Sequence, residues 1–139
     1  MKKRENARIP TKATSGAAGL DLYAAIESPI DIQPGDLVKI PTGIAISIQN
    51  NMVALIFARS GLGVNHGITL SNGVGVVDSD YRGEIFVGLC NVSRKTYTIK
   101  PDDRIAQVLV MPLCDFSLVE AEYLAETTRN SGGFGSTGR

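Results

Sequence analysis

The side chains with the clearest chemical potential in this sequence lie in loops that separate apolar segments. Asp78 follows the run GVGVV, where a partly buried and well-oriented carboxylate has the usual setting of a general base. Arg59 and Ser60 come directly after the apolar run MVALIFA, and both side chains can donate hydrogen bonds to phosphate oxygens. These residues are therefore candidates for a general base and for an anion-binding loop.

The loop ARSGLGVNHG is the candidate for phosphate binding. Its backbone N–H groups from Gly61 to Gly63 could cradle phosphate oxygens at the start of a helical turn, beside Arg59 and Ser60. The loop has no G-K-[ST] sequence, so it is not a Walker loop. A tight turn at the exit of a strand explains the same residues nearly as well, and both interpretations stay open.

The segment SNGVGVVDSDYRGE carries the candidate base. Two short apolar pieces flank DSDYRG, which predicts a β-hairpin with Asp78 at its turn. Tyr81 is placed either to stack on a flat ligand or to pack on the core. Alternatively, Asp78 and Asp80 only cap the turn, which is a frequent use of aspartate.

Two further polar residues interrupt apolar segments. Asp21 lies between two leucines in AGLDLYA, and Gln107 lies within the apolar run RIAQVLVMPL. Asp21 is either a solvated carboxylate on the polar side of a strand or is held near a cation. A buried glutamine must find partners, so Gln107 serves either a backbone group or a polar ligand.

The chain ends in RNSGGFGSTGR, a glycine-rich segment with one aromatic residue, Phe134. Its glycines lose backbone entropy on ordering, so we expect a segment that is mobile when no ligand is bound. One interpretation is a flap, residues 127–139, that closes over a ligand with Phe134 as a lid and Arg129 as an anion contact. The other is an ordinary frayed terminus.

Other chemistries have little support in this sequence. Cys90 and Cys114 lie in apolar stretches and are expected to be buried free thiols. With His66 as the sole histidine, a zinc site of cysteine and histidine ligands is not expected. A triad of Ser60, His66 and Asp78 would lack the G-x-S-x-G elbow.

The apolar pattern that must position these residues is that of β-strands. DLVKIPTGIAISIQ alternates with a two-residue period, and it is broken at PTG. GEIFVGLCNV and KTYTIK are predicted to be neighbouring strands with SRK as the turn, and RIAQVLVMPL is a buried strand after the turn KPDD. DFSLVEAEYL fits a strand or a short helix, of which we prefer the strand. Many short strands with frequent turns predict an all-β sandwich or barrel.

Length, charge and hydropathy limit the classes of function. A chain of 139 residues fits a single domain with one core, and no boundary or repeat interrupts it before Thr127. Net charge is zero, from 14 basic and 14 acidic residues, which argues against nucleic-acid binding through the phosphate backbone. No apolar run approaches the roughly 18 residues of a membrane span, and MKKRENARIP has no apolar stretch of a secretory signal behind it. We expect a cytoplasmic protein, with a nuclear or virus-encoded setting left open.

Taken in order, five segments resemble the five motifs of the trimeric dUTP pyrophosphatases (dUTPases). They are AGLDLYA, RSGLG, NGVGVVDSDYRGE, DRIAQ and GGFGSTG, and together they span Ala18 to Gly138. The resemblance implies a distorted, jelly-roll-like β-barrel with short helical turns and a mobile flap. It also implies a homotrimer with active sites at subunit interfaces, which hydrolyses dUTP to dUMP and pyrophosphate with Mg²⁺.

The resemblance assigns roles to residues of this chain. Asp78 matches the general base for attack of water on the α-phosphorus, and Asp21 matches the aspartate that holds the metal through water, with no direct protein ligand. Tyr81 matches the aromatic residue under the deoxyribose, and Phe134 matches the residue stacked on uracil. The uracil pocket further includes Asn72, Gly73 and Val77. The phosphate contacts are Arg59, Ser60, Gly61, Gln107, Arg129, Gly135 and Ser136.

Two positions depart from the family pattern, and two other functions remain as alternatives. The flap often reads Arg-Gly where this chain has Arg129-Asn130, and Val77 is commonly isoleucine. One alternative is dCTP deaminase, which shares the fold, but it needs a glutamate near the base and is usually longer. The other is a regulatory nucleotide-binding trimer without turnover, against which the presence of Asp78 and the flap argues.

Overall fold

A computed structural model describes residues 1–133 and Ser136. These described residues form an all-β fold of nine strands with one short helix. The elements are β1 Leu20–Tyr23, β2 Ile30–Ile32, β3 Leu37–Pro41, β4 Met52–Phe57, α1 Ser60–His66, β5 Ile68–Leu70, β6 Gly75–Val77, β7 Phe86–Asn91, β8 Tyr97–Ile99 and β9 Arg104–Pro112. The predicted all-β class is confirmed.

The strands form three antiparallel sheets whose neighbours are mostly distant in sequence. The largest sheet has the order β1-β9-β4-β6, a second has β3-β7-β5, and β2 pairs with β8. Such crossovers between sheets are typical of jelly-roll-like folds. The pairings among the described residues do not close one continuous barrel, and the jelly-roll-like character of the prediction is confirmed.

The core is built from residues that alternate along these strands. In β7, Val87, Leu89 and Asn91 are buried while the residues between them are not, because successive side chains point to opposite faces of a sheet. Each fully buried leucine or isoleucine contributes about 1.5–3 kcal/mol. The largest fully buried apolar side chains are Leu22, Ile32, Ile40, Ile68, Leu89, Ile99, Ile105 and Val87.

Two predicted local pairings are wrong. The segment DSDYRG does not close a hairpin, because β6 pairs with β4 whereas β7 pairs with β3 and β5. Likewise SRK does not join two paired strands, since β8 pairs with β2. Both loops carry the chain from one sheet to another, and partner choice is decided by distant strands.

Two predicted strands do not form. After β3, Ile44 and Ala45 are buried, yet they pair with the start of the chain through a Lys2–Ile44 bridge and a bond from the Met1 ammonium to the Ala45 carbonyl (2.7 Å). DFSLVEAEYL is irregular and exposed, and it has no strand partner among the described residues. Its apolar side chains remain exposed, because they pack on no surface formed by the described residues.

The predicted turn KPDD and helical turn do form. The Lys100 N–H donates to Asp103 Oδ2 at 2.7 Å, and the Asp103 N–H donates to the Lys100 carbonyl at 3.1 Å. α1 begins at Ser60 and ends at His66, and the next residue, Gly67, has a φ of 68° in the left-handed region typical of helix ends. No helix in the described part of the chain is long and apolar enough to cross a membrane.

Asn91 offers a test of what holds two of the sheets together. Its Nδ2 donates to the carbonyls of Ile32 and Lys95, both at 2.8 Å, and its Oδ1 accepts from the Ser93 N–H at 2.9 Å. Asn91→Ala leaves the Ile32 carbonyl, which is buried, and the partly buried Lys95 carbonyl and Ser93 N–H without this partner, at about 1–3 kcal/mol for a buried group. We expect the free energy of unfolding in urea to fall by about 3 kcal/mol at fixed protein concentration. Asn50→Ala, at an exposed position, is the control; equal effects of the two variants would contradict this role.

Candidate active site

Strand register brings together three of the five motifs, AGLDLYA, RSGLG and DRIAQ. Gln107 in β9 pairs on one side with Asp21 in β1 and on the other with Phe57, the last residue of β4. Arg59 follows β4 by two residues and immediately precedes α1. The Asp21, Arg59 and Gln107 side chains therefore lie close together across β1, β9 and the end of β4.

The Asp21 carboxylate is held between two guanidinium groups. Its Oδ1 accepts a hydrogen bond from Arg59 Nε at 2.9 Å, and its Oδ2 accepts one from Arg104 Nη1 at 3.2 Å. Only 10% of the Asp21 side chain is exposed. A buried charge requires such partners. Of the two interpretations offered for Asp21, the structure selects a carboxylate held near cations.

Arg59, Arg104 and Gln107 complete what we call the Asp21 cluster. Arg59 Nη1 also donates to the Arg104 carbonyl at 3.2 Å, and Gln107 Nε2 donates to the Ala58 carbonyl at 3.1 Å. With two cations and one anion, the cluster carries one excess positive charge, and both arginines are partly exposed. It is suited to an anionic ligand.

Arg104 was not among the residues predicted for the site. It is the first residue of β9, lies three positions before Gln107, and pairs across the strands with Tyr23. The sequence did contain a signal for Arg104: it is the arginine of DRIAQ, in a predicted strand that could pair with the strand that carries Asp21. That pairing joins residues 83 positions apart, which a single sequence does not reveal.

α1 places Ser60 and Gly61 beside the cluster. Both are exposed in the first turn, directly after Arg59, whose backbone is extended (φ −90°, ψ 131°). The Leu62 and Gly63 N–H groups donate to the Arg59 carbonyl at 3.0 and 2.9 Å, so in this first turn the N–H groups of Ser60 and Gly61 are the ones without a helical acceptor. The predicted helical start to this loop is confirmed, and these N–H groups can serve a ligand.

The loop from residue 78 to residue 84, which we call the pocket loop, follows β6. This strand forms the edge of the four-stranded sheet opposite β1. Asp78 is exposed in this chain, so the expectation of partial burial is wrong here. β6 is an edge strand, and Asp78, Tyr81 and Arg82 in the loop that leaves it are exposed with respect to the described residues. The Tyr81 hydroxyl donates to the Glu84 carbonyl at 3.0 Å, and the Tyr81 ring is 45% exposed.

Asn72 and Gly73 lie in the turn that leads into β6. Asn72 is exposed, and Gly73 has a φ of 71°, a conformation that favours glycine. Val77, at the end of β6, is half-buried and packs against the core. These residues therefore flank the same short strand whose end carries Asp78.

Asp78 and the Asp21 cluster are far apart within one chain. β1 and β6 are separated by three strand spacings, about 14 Å across the sheet. Along the strands, Val77 pairs with Ala54 whereas Gln107 pairs with Phe57, a further offset of about 10 Å. The two groups occupy diagonally opposite corners of the sheet, and one chain does not bring them together.

Comparison with known proteins identifies the family of this chain. The family model for dUTPase matches residues 5–138. The chain belongs to the dUTPase family. A relative from Desulfitobacterium hafniense, named deoxyuridine 5'-triphosphate nucleotidohydrolase, is 48% identical over 139 residues, covering 99% of this chain and 92% of the relative. Another of the same name, from Xanthomonas campestris pv. campestris, is 45% identical over 131 residues, covering 94% and 86%.

Solved structures of phage dUTPases share the fold. A mutant dUTPase of Staphylococcus bacteriophage 80alpha with dUpNHpp gives a TM-score of 0.86 at 22% identity, covering 100% of this chain and 96% of that chain. A mutant dUTPase of phage phi11 of S. aureus, described with a structural Mg(II) ion, gives 0.81 at 22% identity, covering 91% and 97%. The predicted resemblance to the dUTPases is confirmed.

The described part of the predicted flap contains Arg129 beside a turn. Arg129 is exposed, and its Nε donates to the Gly132 carbonyl at 2.8 Å. Asn130 has a φ of 40°, a left-handed conformation that asparagine tolerates better than most residues. Asn130 thus adopts a backbone conformation that favours glycine, the residue that the resemblance led us to expect there. Ser136 is exposed, while Phe134 and Gly135 lie outside the described residues.

The remaining candidates for chemistry take structural positions. Ser60 and His66 stand at opposite ends of α1, about 9 Å apart along its axis, which is too far for a nucleophile–base pair. The His66 ring lies 4.9 Å from that of Tyr97. Burial, and secondly the charge of Asp103, raises the pKa of Tyr97. Both cysteines are free, but Cys114 is exposed, contrary to the expectation of burial.

Proposed function

We propose that this chain hydrolyses dUTP to dUMP and pyrophosphate by Mg²⁺-assisted attack of water on the α-phosphorus. Such an activity keeps uracil out of DNA and supplies dUMP for dTMP synthesis. The observation that carries the proposal is the Asp21 cluster, an arginine-rich anion site, in a chain of the dUTPase family. It is supported by relatives named for this reaction and by a fold neighbour with dUpNHpp.

Asp78 is the proposed general base. Its carboxylate takes a proton from water as the water oxygen bonds to the α-phosphorus, and the bond from that phosphorus to the bridging oxygen of pyrophosphate breaks. A carboxylate on an exposed loop remains open to solvent until a ligand covers it. No side-chain nucleophile is required, because phosphoryl chemistry depends mainly on positioning and on neutralisation of charge.

The triphosphate is the proposed ligand of the Asp21 cluster and the flap. Arg59, Arg104 and Gln107 supply charged and neutral donors from the sheet edge. Arg129 supplies a further guanidinium from the flap. The other proposed phosphate contacts are Ser60, Gly61, Gly135 and Ser136.

The uracil and deoxyribose lie, in this proposal, at the pocket loop. Asn72 and the backbone from Gly73 onward read the edge of the base, and Val77 packs beneath it. Tyr81 supports the deoxyribose and leaves no space for a 2′-hydroxyl, while Phe134 of the flap stacks on uracil. A single methyl group is worth only about 1–3 kcal/mol in a tolerant pocket, so exclusion of thymine requires an unyielding backbone.

Mg²⁺ is the proposed cofactor, and the residues at the Asp21 cluster fit it as a water-bridged ion. Magnesium prefers oxygen ligands and usually retains several waters. Within the described residues, no group of three histidine, cysteine, aspartate or glutamate side chains could hold a metal directly. Bound Mg²⁺ would neutralise charge on the phosphates. Asp21, whose two oxygens each accept one guanidinium hydrogen bond, has lone pairs left for metal-bound water.

The proposed assembly is a homotrimer with active sites shared between subunits. The separation of Asp78 from the Asp21 cluster within one chain supports a site completed by a second chain. Residues 113–126, which we call the arm, are exposed throughout, and a 14-residue extended segment spans up to about 46 Å. The arm can therefore carry the flap to another subunit. Its exposed apolar side chains are Leu113, Phe116, Leu118, Val119, Tyr123 and Leu124.

In domain terms, we propose a single dUTPase-like domain over residues 1–139, of which residues 127–139 act as the closing flap. Closure excludes bulk solvent from around the bound nucleotide while the attacking water is retained, and it completes the set of donors, a recognised gating role. The proposed setting is the cytoplasm, where the nucleotide is available.

The first prediction concerns substrate and flap. With Mg²⁺, the full chain should release pyrophosphate from dUTP and at least about 100-fold more slowly from dTTP, dCTP and UTP. A chain ending at Thr128 should lose most of this activity, and excess EDTA should abolish it. Ammonia release from dCTP is assayed in parallel. No pyrophosphate from any nucleotide would favour a binding protein without turnover, and ammonia would favour a deaminase.

The second prediction concerns Asp78. Asp78→Asn keeps the size of the side chain but removes its basicity, so hydrolysis should fall by about 10²–10⁴-fold. Binding of a non-hydrolysable dUTP analogue, measured by calorimetry, should change little. Asp80→Asn, two residues further along the same loop, is the matched control. Normal turnover by Asp78→Asn would mean that another group is the base.

The third prediction concerns the arm. Leu118 and Tyr123 are 93% and 85% exposed, and burial of such side chains between subunits stabilises an assembly. In sedimentation equilibrium, the molecular mass of the wild-type protein should be about three times that of the 14.8 kDa chain. Leu118→Ser with Tyr123→Ser should shift it toward the monomer, whereas Glu120→Gln with Glu122→Gln should not. A monomeric wild-type chain at micromolar concentration would refute the proposed trimer.

A further inference from the structure

Glu84, at the end of the pocket loop, joins three distant parts of the chain. Its Oε1 accepts a hydrogen bond from Arg4 Nε at 2.8 Å and another from the Gly43 N–H at 2.8 Å. The Glu84 side chain is only 14% exposed. The N-terminal segment, the loop after β3 and the pocket loop therefore meet at one carboxylate oxygen.

The ion pair between Arg4 and Glu84 is held in its charged form. Burial alone would raise the pKa of Glu84, but the hydrogen bonds from Arg4 and from the Gly43 N–H outweigh it, and the pKa lies below its usual value. The hydrogen bond to Glu84 in turn raises the pKa of Arg4. The Arg4 guanidinium also lies over the Phe86 ring, 5.9 Å from its centroid.

The same residue fixes Tyr81 through its backbone. The Tyr81 hydroxyl donates to the Glu84 carbonyl at 3.0 Å, and the ring lies so close to Gly83 that a side chain there would collide with it. Directly after Glu84, the Ile85 N–H donates to the Ile44 carbonyl at 2.8 Å. The position of the tyrosine ring thus depends on where the backbone of Glu84 is held.

Glu84 does not itself present a group to a ligand. Its carboxylate faces Arg4 and Gly43, while its carbonyl accepts the Tyr81 hydroxyl. The structure therefore gives it the role of a positioning residue, and Arg4 acts on the ring only through it.

We infer that the Arg4–Glu84 ion pair positions Tyr81 and thereby contributes to discrimination between deoxyribose and ribose. This inference rests on the proposed function, in which Tyr81 supports the sugar. Steric exclusion of one hydroxyl requires a ring that does not retreat, because small displacements at a contact surface have large effects on rate. Without Arg4, one of the two hydrogen bonds that hold the Glu84 carboxylate is lost, and the ring gains freedom to move.

The test compares dUTP with UTP in the full-length chain. Arg4→Ala and Glu84→Gln should lower the ratio of kcat/KM for dUTP to that for UTP by about fivefold or more, chiefly through improved use of UTP. Arg4→Lys, which retains the charge, should restore part of the ratio. The inhibition constants of dUMP and UMP as competitive inhibitors measure the preference for deoxyribose in binding alone, independently of turnover.

Arg8→Ala is the matched control from the same terminal segment. Its guanidinium lies 4.0 Å from Asp102 and over the Tyr23 ring, on a side chain that is 54% exposed, and within the described residues it forms no ion pair or hydrogen bond with the pocket loop. It should leave the ratio at the wild-type value. Thermal melting and sedimentation of each variant separate a change in selectivity from a loss of folding or assembly.

The outcomes distinguish the inference from the proposed function. A wild-type chain that does not hydrolyse dUTP would overturn the proposed function, and the inference with it. A wild-type chain that prefers dUTP, with Arg4→Ala and Glu84→Gln matching Arg8→Ala in their ratios, would overturn the inference alone. If Glu84→Gln fails to fold, the Arg4 variants decide the question, since Arg4 lies outside the core.

Discussion

The candidate site depends above all on the register of Gln107. This one residue pairs with Asp21 on one side and with Phe57 on the other, so the middle of β9 aligns β1 with the end of β4. A slip of one residue would turn every side chain of a strand to the opposite face of the sheet. Asp21 would then leave Arg59 and Arg104, and the buried apolar residues beside it would move toward solvent. Burial of the core and assembly of the cluster are therefore set by the same hydrogen-bond ladder.

The charges follow from this geometry. Two arginines on one nearly buried carboxylate satisfy the carboxylate and leave a net positive charge at the surface. Each arginine is more exposed than the aspartate, so the cations face solvent and the anion faces the protein. The same contact thus stabilises β1 against β9 and prepares an edge of the sheet for a negatively charged ligand. The pocket loop, at the other edge, carries its carboxylate exposed and its tyrosine tied to the backbone.

Whether the sequence could predict a given feature of the fold or the site depends on how far apart in the chain the interacting residues lie. The turn KPDD and the helical start at Ser60 were predictable because their hydrogen bonds join residues only a few positions apart. The partners of β6 and β8 were not, since they are chosen by strands far away in the chain. The motifs identified Asp21, Arg59 and Gln107 as site residues, whereas only the fold shows that Arg104 belongs to the same cluster. Glu84 ends the third motif, but its contact with Arg4 was not predicted, because the two residues are 80 positions apart and Arg4 lies in none of the motifs.

The diagonal placement of the two functional groups has a genetic consequence in the proposed assembly. A chain with a damaged Asp21 cluster still presents an intact pocket loop, and a chain with a damaged pocket loop still presents an intact cluster. When both kinds of chain enter one trimer, some interfaces combine the two undamaged halves, which never happens among copies of a single damaged chain. Two alleles that are each inactive alone would thus complement one another in the same cell.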